Sequence, residues 1–328
     1  MLNLTRRIAV AGALATLAAG PPALAQTQPL RIAFGDIPSV ESLHFLIAVE
    51  RTKEKGFPVE IANVKSEDIA AQAVLGGQAD IGVGTPYAML QKVRAPMKLF
   101  YQMSTLRFYP IVNTEFYKTW KDLDGQEVTV NSRGSGTEAV MKLAADQNGI
   151  KYKSISYVPG SEVRAGALLQ GNIKASILDS TNRKIVMERA PGKFAILPIE
   201  GVSATDDALF ASPDFLEKNA KAVDALVESM LQTMRDISAR PEAAAELRAK
   251  YKLLPDLPKP LEVGIVPYFK EAVEGKSLSV SGGSPEAAKT DLAFFNLAGQ
   301  ITGDPATLKA EDFWDFGPLN RAKAKLGQ

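Results

Sequence analysis

Val128-Thr129-Val130-Asn131-Ser132-Arg133-Gly134-Ser135-Gly136-Thr137-Glu138-Ala139-Val140 runs from an apolar, β-branched stretch through small polar residues into apolar residues at helical spacing. The pattern predicts strand, turn, helix. Gly134 and Gly136 let the backbone adopt positive φ and approach a ligand closely, while Ser135 or Thr137 can cap the helix and leave its first N–H groups facing outward. Such an end attracts an anion by about 0.3–1 kcal/mol, or up to ~2 kcal/mol when partly buried, which is too little for useful affinity alone. The functional weight comes from repetition of this device.

Residues 30–34 form a short apolar strand, followed by Gly35-Asp36-Ile37-Pro38-Ser39 and a helix through Leu43, Leu46 and Ile47 that Ser39 is placed to cap. A strand at 59–64 precedes a helix capped by Ser66 and ended at Gly76-Gly77. A third strand, 79–84, closes on Thr85 as N-cap and Pro86 as first helical residue. In a parallel α/β sheet with right-handed crossovers, these helix starts share the carboxyl edge and line one crevice. Strands at 99–103 and 108–112 follow, and Pro110 in the second fits either a connector between lobes, where the crossing is placed, or an ordinary edge strand.

After the 122–125 turn the pattern repeats in type, through strands at 128–130, 155–158 and 173–178, the last delivering Asp179-Ser180-Thr181 to another helix start. Around 199–205 the chain crosses back. The remainder reads as helices, opening with one capped by Ser212 and continuous to Pro241; Phe294, Phe295, Phe313, Trp314 and Phe316 are expected in the core. The fold class is therefore α/β with two lobes, each a mixed, mostly parallel sheet flanked by helices, joined by two crossover strands. Residues 26–110 and 205–328 make lobe 1 and residues 111–204 lobe 2.

Arg6-Arg7, the apolar run 8–19 and Ala23-Leu24-Ala25 form a secretory leader with cleavage after Ala25, too short to span a bilayer. The chain has no cysteine, which removes disulfides, thiolate metal sites and a cysteine nucleophile. Lys and Arg number 38 against 37 Asp and Glu, so no broad nucleic-acid or headgroup footprint is expected. The single histidine, His44, rules out multi-histidine metal centres, and no Walker-A or His-Glu-x-x-His sequence occurs. No cofactor or metal is expected.

The order of Leu30–Phe34, Glu54-Lys55-Gly56-Phe57-Pro58, Gly76-Gly77-Gln78-Ala79-Asp80-Ile81-Gly82, Asp122-Leu123-Asp124-Gly125 and Ala167-Leu168-Leu169-Gln170-Gly171-Asn172-Ile173 resembles substrate-binding proteins of nitrate, sulfonate, taurine and thiamine-precursor ABC importers. The resemblance covers nearly the whole mature chain. It implies a periplasmic, monomeric, two-lobed binding protein of the type II fold that closes on a small ligand and docks on a membrane permease. An enzymatic branch of that family relies on a cysteine-rich motif, which this chain lacks. Carried over residue by residue, the resemblance places ligand contacts at Ser39, Glu41, Thr85, Pro86, Ser135, Gly136, Thr137, Ser161, Arg164, Asp179, Ser180 and Thr181. Tyr87, Phe108 and Tyr109 can cover an apolar body, and His44 lies about a turn past the Ser39 cap, near the crevice.

Arg133 and Arg164 suit an anionic headgroup, so an organic sulfonate or carboxylate is the expected ligand; Arg164 can instead pair with Glu162, and Arg133 can project into solvent. Glu41 and Asp179 point the other way, to an amine or pyrimidine. Gly134–Glu138 also resembles TRAP-importer solute-binding proteins, which ranks second. A periplasmic sensory subunit and an exported carboxylate-dependent enzyme are the further alternatives.

Overall fold

The computed structural model describes residues 28–328; the leader expected at 1–25 lies outside the described residues. Strand and helix alternate from the start: β1 (Leu30–Phe34), α1 (Leu43–Glu54), β2 (Val59–Asn63), α2 (Glu67–Leu75), β3 (Ile81–Val83), α3 (Tyr87–Lys92) and β4 (Lys98–Gln102). A second series follows, with β5 (Tyr109–Asn113), β6 (Glu127–Val130), α4 (Gly136–Asn148), β7 (Ser154–Tyr157), α5 (Ser161–Gln170), β8 (Ala175–Leu178), α6 (Ser180–Arg189) and β9 (Phe194–Ile196). The chain then gives β10 (Ala208–Ala211) and the helices α7 (Pro213–Lys218), α8 (Ala220–Ala239), α9 (Ala243–Tyr251), α10 (Lys259–Val263), α11 (Ile265–Glu274), α12 (Pro285–Leu297) and α13 (Gly317–Lys325).

Two five-stranded mixed sheets result, ordered β2-β1-β3-β10-β4 and β7-β6-β8-β5-β9. They share one plan: three parallel strands, then an inserted strand antiparallel to both neighbours, β10 in the first sheet and β5 in the second. Each inserted strand is the one by which the chain arrives from the other sheet. Between the sheets the chain passes twice, at 103–108 and 197–207.

Pro110 is therefore inside an interior strand of the second sheet rather than in a connector. It sits opposite Ile177 of β8, and its carbonyl accepts from the Leu197 N–H just past the end of β9, so its missing donor falls where the short β9 ladder is already ending. The Ser39 cap is also displaced. Ser39 lies in a turn in which its N–H donates to Ser42 Oγ, and Ser42 stands at the start of α1. Pro86, not Thr85, occupies the capping position of α3. The long helix expected to Pro241 is interrupted at Asn219, giving α7 and α8; Ser212 caps α7 by accepting from the Phe215 N–H at 3.1 Å.

The apolar stripe of α8 does what its spacing predicts: Val223, Met230, Met234 and Ile237 are buried against Leu43, Phe45 and Ile47 of α1. Side chains of this size contribute about 1.5–3 kcal/mol each when fully buried. Gly82, in the middle of β3, lies directly opposite Phe210 of β10, and a Cβ there would come 2.1 Å from the Phe210 ring. Gly82→Ala should destabilise the fold by about 1–3 kcal/mol, measured by urea unfolding, because the buried ring has to move. A variant as stable as the parent would mean that the ring has somewhere else to go.

Candidate functional site

A narrow cavity lies where the carboxyl ends of β1 and β3 face the starts of α4 and α5 across the two sheets. Helix starts collect there because β1, β3, β6 and β8 are parallel strands whose crossovers begin at one edge. The first sheet contributes Phe34 and Val83, and the second contributes Asn131, Ser135, Gly136, Thr137 and Ser161; Phe108 lies just before β5. Gly136 allows the close approach of the two sides, since a Cβ on it would sit 2.4 Å from Leu106 and 3.4 Å from Asp206 Oδ1. Gln300 Nε2 donates to the Ser135 carbonyl at 3.1 Å, and Glu271 of α11 forms ion pairs with Arg107, Arg183 and Lys184, also joining the two sides.

Five carboxylates enter this cavity: Asp36 from the turn after β1, Glu41 ahead of α1, Glu67 at the start of α2, and Asp206 and Asp207 from the return crossing. Their mutual proximity and loss of water favour their protonated forms. Burial raises Glu67 to about 8, helped by the Asp207 charge and opposed by the Thr85 N–H and hydroxyl, which donate to Glu67 Oε2 at 2.9 and 3.3 Å. Burial likewise raises Asp207 to about 7, with the Asp36 charge acting in the same direction. Glu41 and Asp206 are held well above the ordinary carboxylate range by burial first and neighbouring carboxylates second. Burial raises Asp36 as well, opposed first by the Ile37 N–H that donates to it and then by the Arg164 charge, the Gly160 N–H and Asn131. Among the described residues no cluster is arranged to hold a metal ion.

Arg164 is the one guanidinium lining this cavity; its Nε and Nη1 donate to protein oxygens, whereas Nη2 makes no hydrogen bond among the described residues. It is 1 % exposed; Nε donates to the Ile177 carbonyl at 3.1 Å, and Nη1 donates to Asn131 Oδ1 at 2.9 Å and to the Val158 carbonyl at 2.8 Å. It ties α5 to β8 and to the loops after β6 and β7. The stretch at 131–138 is largely bonded to itself, with one exception: Thr137 Oγ1 accepts from the Asn131 N–H, Ser135 Oγ donates to the Ser132 carbonyl, and Glu138 accepts from the Gly134 N–H and the Tyr157 hydroxyl, while the buried Ser132 hydroxyl has no partner among the described residues.

Of the residues expected to touch ligand, Glu41, Ser135, Gly136, Thr137, Ser161 and Arg164 line the central cavity. Asp179, Ser180, Ser39 and Thr181 line two smaller cavities that adjoin it. Thr85 is one step removed, holding Glu67, and Pro86 begins α3 without lining the site. Tyr109 stacks under Arg183 at 4.1 Å, and its hydroxyl accepts from Arg107. Tyr87 is a core residue: its hydroxyl donates to Asp291 at 2.6 Å, accepts from Trp314 at 2.7 Å, and its ring stacks on Phe295. His44 is buried edge-on against Phe269, and burial lowers it to about 4, so it is neutral packing. Arg133 projects outward over the Tyr157 ring. Sequence reading missed Asp36, Glu67, Asp206 and Asp207; the Asp206-Asp207 doublet at the end of the return crossing was the visible signal.

Paired sheets of one topology, with strand ends and helix starts meeting at a cleft between them, define the periplasmic binding protein fold. The chain belongs to the NMT1/THI5-like family, whose model matches residues 45–244. Among solved structures it is similar to a protein of Bordetella bronchiseptica RB50, at 22% identity over 92% of this chain and 99% of that one, with a TM-score of 0.73. It is similar also to the periplasmic nitrate-binding protein NrtA of Synechocystis PCC 6803 (12% identity, 92% and 89% covered, TM-score 0.69). A third is the alkanesulfonate-binding protein SsuA of Xanthomonas axonopodis pv. citri bound to MOPS (16%, 88% and 99%, TM-score 0.63). No curated protein sequence gives a match.

Proposed function

We propose that this protein is the periplasmic solute-binding subunit of an ABC importer, taking a small organic cation between two lobes and presenting the closed form to a membrane permease. The lobes are built on the two sheets, and closure turns on the two passages between them, at 103–108 and 197–207. The observation that carries the ligand class is the set of five carboxylates in one cavity against a single guanidinium, of which Nε and Nη1 are bonded to protein oxygens. At an effective dielectric of about 20, two carboxylates ~5 Å apart repel by roughly 3 kcal/mol. An ammonium or amidinium relieves that repulsion, whereas a sulfonate adds to it. Sulfonate or carboxylate capture is the second reading, favoured by the α4 and α5 starts that line the cavity and by the nitrate- and sulfonate-binding names of two structural neighbours.

One thermal-shift screen of the mature protein separates the two. Amines and amidines at ~100 times their dissociation constant should add about 2.7 kcal/mol of stability, with alkanesulfonates, carboxylates and nitrate giving none. A shift with sulfonates alone would reverse the ligand class and keep the transport reading. Silence with every compound, after copurified ligand has been removed, would count against small-molecule capture altogether.

A further inference from the structure

The two passages between the sheets are paired with each other and anchored on the first sheet's side. The Met103 and Leu106 N–H groups donate to the Asp207 and Ala204 carbonyls at 2.8 Å each, and the Asp206 N–H donates to the Ser104 carbonyl at 3.0 Å. Thr205 is pinned in turn, its N–H and hydroxyl donating to the buried Asp291 carboxylate of α12 at 2.7 Å each. A ribbon tied in this way moves with the first side, so the second side pivots on the residues just after Leu106 and just before Ala204.

Glu271 stands beside that pivot. It belongs to α11, whose Ile265, Phe269 and Ala272 are buried in the core of the first side. Its carboxylate pairs with Lys184 and, at 3.6 Å, with Arg183, both on α6 of the second side, and at 3.4 Å with Arg107 at the pivot. Tyr109, at the start of β5, knits these groups together: its hydroxyl donates to Glu271 at 3.3 Å and accepts from Arg107 Nε at 3.2 Å, and its ring lies under Arg183. Every other ion pair among the described residues joins two residues of the same side. The Glu271 side chain is 17 % exposed and shared by three cations, so this is a partly sheltered network rather than an isolated surface pair of little worth. Phe108, between Arg107 and Tyr109, lines the central cavity, so the segment that carries the cluster also walls the site.

We infer that Glu271 is a charge latch: its ion pairs to α6 hold the second side against the first and set the proportion of closed molecules. This rests on the reading that the two sides close over the cavity, and is independent of the charge of the ligand. Because the chain has no cysteine, two can be introduced for spin labels, Lys65→Cys on the first side and Lys153→Cys on the second, both exposed and outside the cavity. Pulsed electron spin resonance then gives the distribution of label separations in the mature protein at about 0.01 M and 1 M salt, where charges are screened over roughly 30 and 3 Å. At low salt Glu271→Gln should lower the ratio of closed to open molecules about tenfold, within the usual range of a coupling between two states. The parent at high salt should approach that variant, and the variant itself should ignore salt. Lys184→Gln, which cuts the same network from the second side, should act in the same direction by less, since Arg183 remains. Two separations whose ratio ignores both substitutions and salt would overturn the latch while sparing closure, and so would a lowered unfolding midpoint with the ratio unchanged. A single separation in every protein at both salts, with and without a compound that shifts the melting temperature, would overturn closure as well.

Discussion

Arg164→Ala is expected to destabilise the protein by about 3–5 kcal/mol, the range for breaking a buried charged arrangement by removing one partner. The substitution strips donors from the Ile177 and Val158 carbonyls and from Asn131 Oδ1, all in the region where α5, β8 and the 131–138 turn meet. It also withdraws the positive charge that faces Asp36, Asp179, Glu41 and Glu162. Arg164→Lys should recover part of the loss, since an ammonium restores the charge but not the planar fork that reaches three acceptors. Chemical unfolding followed by far-ultraviolet circular dichroism measures both. A cost below about 1 kcal/mol for the alanine variant would mean that the carbonyls find other donors, and would return Arg164 to the role of a ligand contact.

That arginine shows where sequence reading stops. Its place one turn into a helix after Pro159-Gly160-Ser161 was legible, and so was its nearness to the crevice; which oxygens its donors reach was not, because all three acceptors lie on other elements. Local features were read well for the same reason in reverse. Gly149 and Gly171 end α4 and α5 in the left-handed conformation, Ser135 and Ser212 cap α4 and α7, and the α8 stripe is buried, each set by residues within a turn or two. Pro110 misled because its tolerance in an interior strand depends on how soon β9 ends, a matter of pairing across more than 80 residues.

The carboxylates were missed for a different reason. Acidic residues are common along this chain, and Asp36, Glu67 and the Asp206-Asp207 pair come from three separate junctions, so nothing in their spacing announces that they meet. Their meeting follows from the doubled topology, which brings the turn after β1, the start of α2 and the return crossing to one edge. Arginines in a crevice suggested an anion; Arg133 turns outward over Tyr157, and Arg164 keeps only Nη2 free of protein oxygens, so the five carboxylates outnumber the positive charge left at the site.

The same carboxylates make the ligand-free protein less stable as pH rises, and the sign follows from linkage. Unfolded carboxyls titrate near 4, whereas in the folded chain Glu67 is pushed up to about 8 and Asp207 to about 7, with Glu41 and Asp206 also raised. Between those limits the native state binds more protons than the unfolded one, so the stability present below about pH 4 is lost as pH climbs through 7 to 8. A tenfold change in a carboxyl's proton affinity on folding is worth about 1.4 kcal/mol, so the fall from pH 5.5 to 8.5 should be on the order of a few kcal/mol, read as a lower melting temperature. Glu67→Gln should flatten the profile at its alkaline end. An organic cation acts against this trend: it favours the ionised carboxylates, releases protons on binding, and should bind more tightly at pH 8.5 than at 5.5. A sulfonate would do the opposite, taking up protons and weakening as pH rises. Melting curves with and without ligand at the two pH values therefore test the charge of the site and the charge of its ligand together. A ligand-free protein equally stable at both would mean that these carboxylates are already ionised at neutral pH and do not sense one another.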